Sequence, residues 1–196
     1  MKRIVVGITG ASGSVLAKCA VEALLDLGHE VHLVFSKQGE KVFPFELEIE
    51  IETWIESLKP KKGRLILHDN ENMFSRLASG SYSVDATMVI PCSMGTLARV
   101  AQGISESLLT RVCDVAIKEQ RKLIMVIRET PLSSVHLENM LKLSKSGVLI
   151  MPPVPAFYHK PKTLEESIDL SVGRIIRMLG IENNLHEEWC DPNDSI

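Results

Sequence analysis

The chain alternates between short apolar runs and longer stretches with helical spacing. The runs Arg3–Thr9, Val31–Phe35, Arg64–His68, Ala86–Ile90, Leu123–Ile127 and Val148–Met151 read as six strands. Several are continuously apolar rather than alternating, as expected for strands covered on both faces. Between them lie helical patterns. Val15–Leu27 closes on Gly28, as a helix does on a left-handed C′ residue. Residues 38–58 are acidic and partly helical, with Trp54 and Ile55 facing inward, and Met73–Leu77 forms a short helix. Leu97–Gln120 divides into two helices near Gly103, and Ser134–Ser146 ends at Gly147. Thr163-Leu164-Glu165-Glu166 matches a capping box, followed by an apolar face of Leu164, Ile168, Val172, Ile175 and Leu179.

Strands alternating with helices predict a doubly wound α/β fold with a mainly parallel sheet. Lys59-Pro60-Lys61-Lys62-Gly63 reads as a turn, because the flanking pieces are too small to stand alone. Residues 1–196 are therefore expected to form one domain, with 181–196 an acidic tail in which Trp189 suggests packing. In such sheets ligands bind beyond the carboxyl ends of the strands. That rule collects the loops 10–13, 36–37, 92–96, 128–131 and 152–158 on one edge.

Composition narrows the partners. Of the 196 residues 45% are apolar and 24% charged, ordinary for a globular protein, and a net charge of -3 gives no basic footprint for nucleic acid. No apolar run is long enough to span a bilayer. The segment after Met1-Lys2-Arg3 is too short for a signal sequence, so a cytoplasmic location is expected. Cys19, Cys92, Cys113 and Cys190 show neither metal-ligand spacing nor a disulfide framework, and the histidines form no ligand pattern, so no metal is expected.

Two loops carry phosphate-binding character. Gly10-Ala11-Ser12-Gly13 is glycine-rich and opens a helix, yet it fits neither the dinucleotide fingerprint nor a Walker loop. It can cradle a mononucleotide or be no more than a tight turn. Ser93-Met94-Gly95-Thr96 is the stronger anion site, since hydroxyls, a glycine and a helix start coincide. Arg128-Glu129 ends a buried strand, where a charged pair is costly unless used. Arg111 and Lys118 share one helical face and, with Arg128, can hold a second phosphate or form a solvated basic face. Cys92 reads as a packed thiol.

Together the motifs Gly10-Ala11-Ser12-Gly13, Ser36-Lys37, Pro91-Cys92-Ser93-Met94-Gly95-Thr96, Arg128-Glu129-Thr130-Pro131, His136-Leu137-Glu138-Asn139-Met140-Leu141 and Pro155-Ala156-Phe157-Tyr158 stand in the order of a known family. The chain resembles the flavin prenyltransferases of the UbiX/Pad type, relatives of flavin-dependent cysteine decarboxylases, from about residue 3 to 180. The resemblance implies a flavodoxin-like, Rossmann-like three-layer sandwich. It implies FMN bound between subunits of a homo-oligomer, often a dodecamer. It also implies transfer of a dimethylallyl group from dimethylallyl monophosphate to the N5 and C6 atoms of reduced FMN, the product serving a UbiD-type decarboxylase.

Carried over by position, the resemblance implies FMN contacts from Gly10, Ala11, Ser12, Ser36, Ser93, Met94, Gly95, Thr96 and Arg128. It implies that Arg111, Lys118, Arg128, Tyr158 and Arg174 grip the allylic phosphate. Ser12, Glu46, Lys118 and Glu129 are the implied catalytic residues, Glu46 and Glu129 being able to move protons. Ser14-Val15-Leu16-Ala17 stands where many members carry a tyrosine, and Met73 where some carry an aromatic; both bear on pocket shape. The alternative activities are direct decarboxylation of an aromatic or cysteinyl acid, and non-catalytic flavin carriage.

Overall fold

The computed structural model describes residues 1–185. Six strands, β1 (Arg3–Ile8), β2 (Glu30–Phe35), β3 (Arg64–His68), β4 (Ala86–Cys92), β5 (Lys122–Ile127) and β6 (Leu149–Ile150), form one parallel sheet in the order β3-β2-β1-β4-β5-β6. The helices are α1 (Ser14–Asp26), α2 (Gly39–Leu47), α3 (Ile51–Ser57), α4 (Met94–Ala101), α5 (Leu108–Lys118), α6 (Ser134–Lys145) and α7 (Leu164–Met178).

The pleat divides each strand between two cores. Ile4, Val6 and Ile8 pack with Leu33, Met88, Ile90 and Val126 beneath α1, α2, α3 and α7. Val5, Val34, Val89 and Met125 face α4, α5 and α6 on the other side. This double coverage is why the strands lack polar alternation. At Gly7 a Cβ would lie 3.2 Å from the Leu109 side chain, so the glycine lets α5 approach the sheet closely. Trp54 is fully buried, and its indole N–H donates to the Glu22 carboxylate at 2.9 Å.

Four local expectations change. Met73–Leu77 is not a helix; a single 3-10 turn spans Arg76–Ala78. The side chains of Asp69, Asn72 and Ser75 accept from the backbone N–H groups of Glu71, Phe74 and Leu77, and these local bonds compete with helical ones. β4 does not stop at Ile90 but runs through Pro91 to Cys92, with its register against β5 shifting between Val89 and Cys92. Pro91 supplies its carbonyl, which accepts from Thr9. β6 is shorter than expected, although Met151 N–H still donates to Met125 O at 2.9 Å. Thr163 caps α7, but the Glu166 carboxylate accepts from Lys162 N–H rather than closing a reciprocal box, and Leu164 is exposed instead of joining the buried face. The expectations for Trp189 and Cys190 lie outside the described residues.

A polar chain crosses the second core. Arg3 Nε donates to Glu30 Oε1 at 3.0 Å, and His32 Nε2 lies 3.0 Å from the same oxygen. His32 Nδ1 is 2.8 Å from His68 Nε2, and Ser75 Oγ is 3.2 Å from His68 Nδ1. The carboxylate fixes the tautomers in sequence: His32 donates to Glu30, His68 donates to His32, and the Ser75 hydroxyl donates to His68. Burial first, then the neighbouring His32 and Arg76, pulls the His68 imidazole down from 6.5 to about 4. The folded protein therefore keeps His68 neutral where the unfolded chain takes up a proton. Its contribution is full above about pH 6.5 and is lost as the pH falls toward about 4. Urea-denaturation midpoints are expected to drop between about pH 7.5 and about pH 5. The slope should be shallower in His68→Gln, and equal slopes in the two proteins would contradict this account.

Candidate active site

The strand order reverses direction between β1 and β4, so the crevice between their following loops is the expected ligand site. A buried hydroxyl joins these loops. Thr9 Oγ1 donates to Pro91 O at 2.7 Å and accepts from Ser93 N–H at 2.8 Å. Ser93 then caps α4, accepting from Thr96 N–H at 3.3 Å, while its own hydroxyl donates to Thr96 Oγ1 at 3.1 Å. Helix geometry leaves the N–H groups of Met94 and Gly95 without intrahelical partners, at the positive end of the helix dipole. The Met94 side chain is buried, so this residue offers only its backbone.

Beside this turn lies a cavity of about 490 Å3 lined by Gly10, Ser36, Ser93 and Thr96. Lys37, Gln38, Asn70, Arg99, Ser107 and Thr110 complete much of its wall, with Glu71 and Glu106 also present. A Cβ on Gly10 would sit 2.4 Å from Gln38 Cβ, so only glycine allows the first and second loops to close on each other. Ser36 Oγ accepts from Gly39 N–H at 3.1 Å and shapes the second loop. Lys37 is paired with Glu71 at 3.4 Å, and the hydroxyls, the helix N-terminus and Arg99 make this wall suited to a phosphate ester.

The glycine loop behaves differently. Gly13 adopts φ 111°, which turns the chain into α1. The first N–H groups of α1 do not await a ligand, because the Glu46 carboxylate accepts from Gly13 N–H at 3.0 Å and Ser14 N–H at 2.8 Å. Burial alone would raise the Glu46 carboxyl. Hydrogen bonds from the Ser12 side chain and from the Ser14 and Gly13 backbone outweigh it and hold the group below the usual carboxylate range. Glu46 is thus an ionised clamp on the Ser12 turn. It can accept a proton but has none to deliver at neutral pH. Ala11 is packed inward, whereas Ser12 is exposed and its carbonyl accepts from Arg128 Nε at 3.3 Å.

Glu129 is exposed and its carboxylate accepts from Thr130 N–H at 3.1 Å. Tyr158 lies on a 3-10 turn, 58% exposed, its ring tilted 44° against that of His159, and Arg174 is exposed on α7. Among the described residues, no hydrogen bond or ion pair joins either to Arg128. Arg111 and Lys118 lie elsewhere. α5 starts at the ligand edge, where Leu108 N–H donates to Asn70 O, and runs back toward the start of β5. Eleven helical residues carry Lys118 about 16 Å from that edge. Arg111 points at Ala78 O, 3.1 Å away, and Lys118 contacts Glu119. Within one chain Lys118 is therefore held at the far end of α5, and Arg111, although in the first turn of the helix, is turned to the Ala78 carbonyl; among the described residues no hydrogen bond or ion pair joins either to Arg128.

Cys92 and Cys113 are fully buried, and burial raises both thiols, that of Cys113 to about 12. Neither presents a thiolate.

The Flavoprotein family model matches residues 1–175. The flavin prenyltransferase UbiX of Methanocaldococcus jannaschii is 49% identical over 187 residues, 95% of this chain and 98% of that one. The mitochondrial flavin prenyltransferase PAD1 of Saccharomyces cerevisiae is 45% identical, over 96% of this chain and 75% of that one. The chain belongs to the flavin prenyltransferase family.

Solved structures of this family superimpose closely. The complex of AnUbiX (PadA1) with FMN and dimethylallyl pyrophosphate has a TM-score of 0.91 at 39% identity, covering 97% of this chain and 98% of that one. The dodecameric FMN-dependent UbiX-like decarboxylase from Escherichia coli O157:H7 has a TM-score of 0.90 at 37% identity, covering 96% and 100%. A cysteine decarboxylase of thioviridamide biosynthesis, at 12% identity and TM-score 0.60, shares the fold.

Several site residues carry little motif signal. Thr9, buried behind the cavity wall, reads as the end of an apolar strand, and Asn70 and Arg99, in the wall, are isolated polar residues. Ser107 and Thr110 did carry a signal, a Ser-x-x-Thr spacing at a helix start, and they form a reciprocal capping box there. Glu46→Ala is expected to destabilise the protein by about 1–2 kcal/mol, because two N–H donors of α1 lose their acceptor. Glu46→Gln, which keeps an acceptor oxygen, should cost less; denaturant melts of the three proteins decide this.

Proposed function

We propose that this protein is a flavin prenyltransferase that joins the dimethylallyl group of dimethylallyl monophosphate to reduced FMN. The observation that carries the reading is the switch-point cavity: a phosphate-accepting wall at Ser93–Thr96, with the Ser12–Arg128 contact beside it. The curated names of relatives 40–49% identical over nearly the whole chain support it.

Ser93, Gly95 and Thr96, with Ser36, would hold the FMN phosphate, their N–H and hydroxyl donors matching its oxygens. Bound FMN in its reduced form supplies the nucleophilic atoms N5 and C6. Arg128 stabilises charge on the leaving phosphate, a planar fork matched to a phosphate dianion. Tyr158 and Arg174, exposed on neighbouring elements, add donors as the site is completed. Glu46 keeps Ser12 in place through the turn that it clamps. Glu129 takes or returns the proton exchanged during ring closure.

Because Lys118 lies at the far end of α5 from the ligand edge of its own subunit and Arg111 is turned to the Ala78 carbonyl, we assign them to the phosphate site of an adjacent copy in a homo-oligomer. A dodecameric relative supports that arrangement. The prenylated flavin would then pass to a UbiD-type decarboxylase in the cytoplasm.

Anaerobic incubation with reduced FMN and dimethylallyl monophosphate is expected to release phosphate and change the flavin spectrum. Absence of phosphate release, or carbon dioxide release from an aromatic acid by the pure protein alone, would overturn the reading. Arg128→Ala should lower kcat/KM by about 10²-fold or more. Lys118→Ala and Arg128→Ala subunits, each nearly inactive, should regain activity when unfolded and reassembled together, since some sites then contain both native residues.

A further inference from the structure

One polar side chain in the wall of the switch-point cavity has donors to spare. Asn70 follows the end of β3, is 8% exposed, and lines the cavity together with Ser93, Thr96 and Arg99. It is tied twice to the start of α5. Leu108 N–H donates to its main-chain carbonyl at 2.8 Å, and Leu109 N–H donates to its Oδ1 at 3.0 Å. These are donors that a helix start leaves without intrahelical partners. Because an N–H must meet an acceptor, the amide has one orientation: Oδ1 faces α5 and Nδ2 is turned from it. Among the described residues nothing accepts from Nδ2, and the atom is not sealed from solvent. Two N–H donors of a side chain more than nine-tenths buried are therefore left for the cavity.

Net charge does not hold an anion here. Lys37 is paired with Glu71, and Arg99 shares the wall with Glu106, so the four charges cancel in sign. A Cβ on Gly95 would fall 3.3 Å from Arg99 Nη1, so the guanidinium folds back over the first turn of α4. The positive charge is thus gathered where that helix starts. A phosphate dianion placed there, with Glu71 and Glu106 in the same wall, needs neutral donors beside Arg99, and buried donors count most.

We propose that Asn70 is a further FMN-binding residue, whose carboxamide donates to the phosphate ester at the start of α4. The proposal rests on the reading of this cavity as the FMN phosphate site. One side chain then has two duties: Oδ1 fixes the start of α5, and Nδ2 holds the ligand.

The test titrates FMN, and riboflavin, which lacks the phosphate, into the flavin-stripped full chain and follows flavin fluorescence. Asn70→Asp keeps an acceptor for Leu109 N–H, and a carboxylate suits a helix start, so its denaturant midpoint should match that of the intact protein. It replaces the donors by a second acceptor, so FMN should bind about ten-fold or more weaker, the scale of one hydrogen bond to a charged group, with riboflavin unchanged. Asn70→Ala removes the donors without adding charge. It should weaken FMN about three- to ten-fold and lower the midpoint, because Leu109 N–H loses its acceptor. Unchanged FMN affinity in Asn70→Ala, or equal losses for FMN and riboflavin, overturns the proposal. Arg99→Ala separates it from the reading beneath it. If Arg99→Ala weakens FMN and the Asn70 variants do not, the phosphate site stands without Asn70. If none of the three changes FMN affinity, the cavity is not the phosphate site and the proposal falls with that reading.

Discussion

The ligand edge depends on one buried hydroxyl. Thr9 Oγ1 closes two hydrogen bonds across the point where the sheet reverses its winding, one to Pro91 O and one from Ser93 N–H. It fixes the end of β1 against the end of β4. The direction of α4 follows, because Ser93 is at once the partner of Thr9 and the cap of that helix. From there the N–H groups of Met94 and Gly95, the hydroxyl of Thr96 and the nearby walls of the second loop take their positions. A buried hydroxyl with both roles satisfied is stable where a half-satisfied one would be costly.

The sheet was largely readable in the sequence because its determinants are local. A strand buried on both faces must be apolar throughout, and a glycine such as Gly28 or Gly147 must follow a helix that ends in a left-handed turn. The sequence misled where side chains compete with the backbone. The segment around Met73 carries apolar residues at helical spacing, yet Asp69, Asn72 and Ser75 capture the N–H groups that a helix would use. At the site, Ser93 and Thr96 were legible because hydroxyls at a helix start have a local signature. The role of Glu46 as a clamp on α1 was not, since the contact joins residues 32 and 33 positions apart. Nor could residue type reveal that Lys118 lies far from the ligand edge, because that separation is a property of how α5 returns across the sheet.

That return has a structural counterpart in function. A parallel sheet places every following loop on one edge, but its connecting helices carry their own residues back toward the other. A cation at the far end of such a helix, as Lys118 is on α5, lies about 16 Å from the edge where the helix begins. On the proposed reading the enzyme is tied to its assembly, and the loop carbonyls of Ala78, Gly80 and Tyr82 hold Arg111 and Arg121 in place on the surface concerned.

The two helix N-termini beside the site look alike in sequence and are opposite in electrical character. One is already filled by the carboxylate of Glu46, and the other is left with unpaired donors at Met94 and Gly95. A ligand with a phosphate at one end therefore meets attraction at α4 and repulsion at α1. The fold sets the polarity of whatever binds in the crevice before any contact with the rest of the ligand is made.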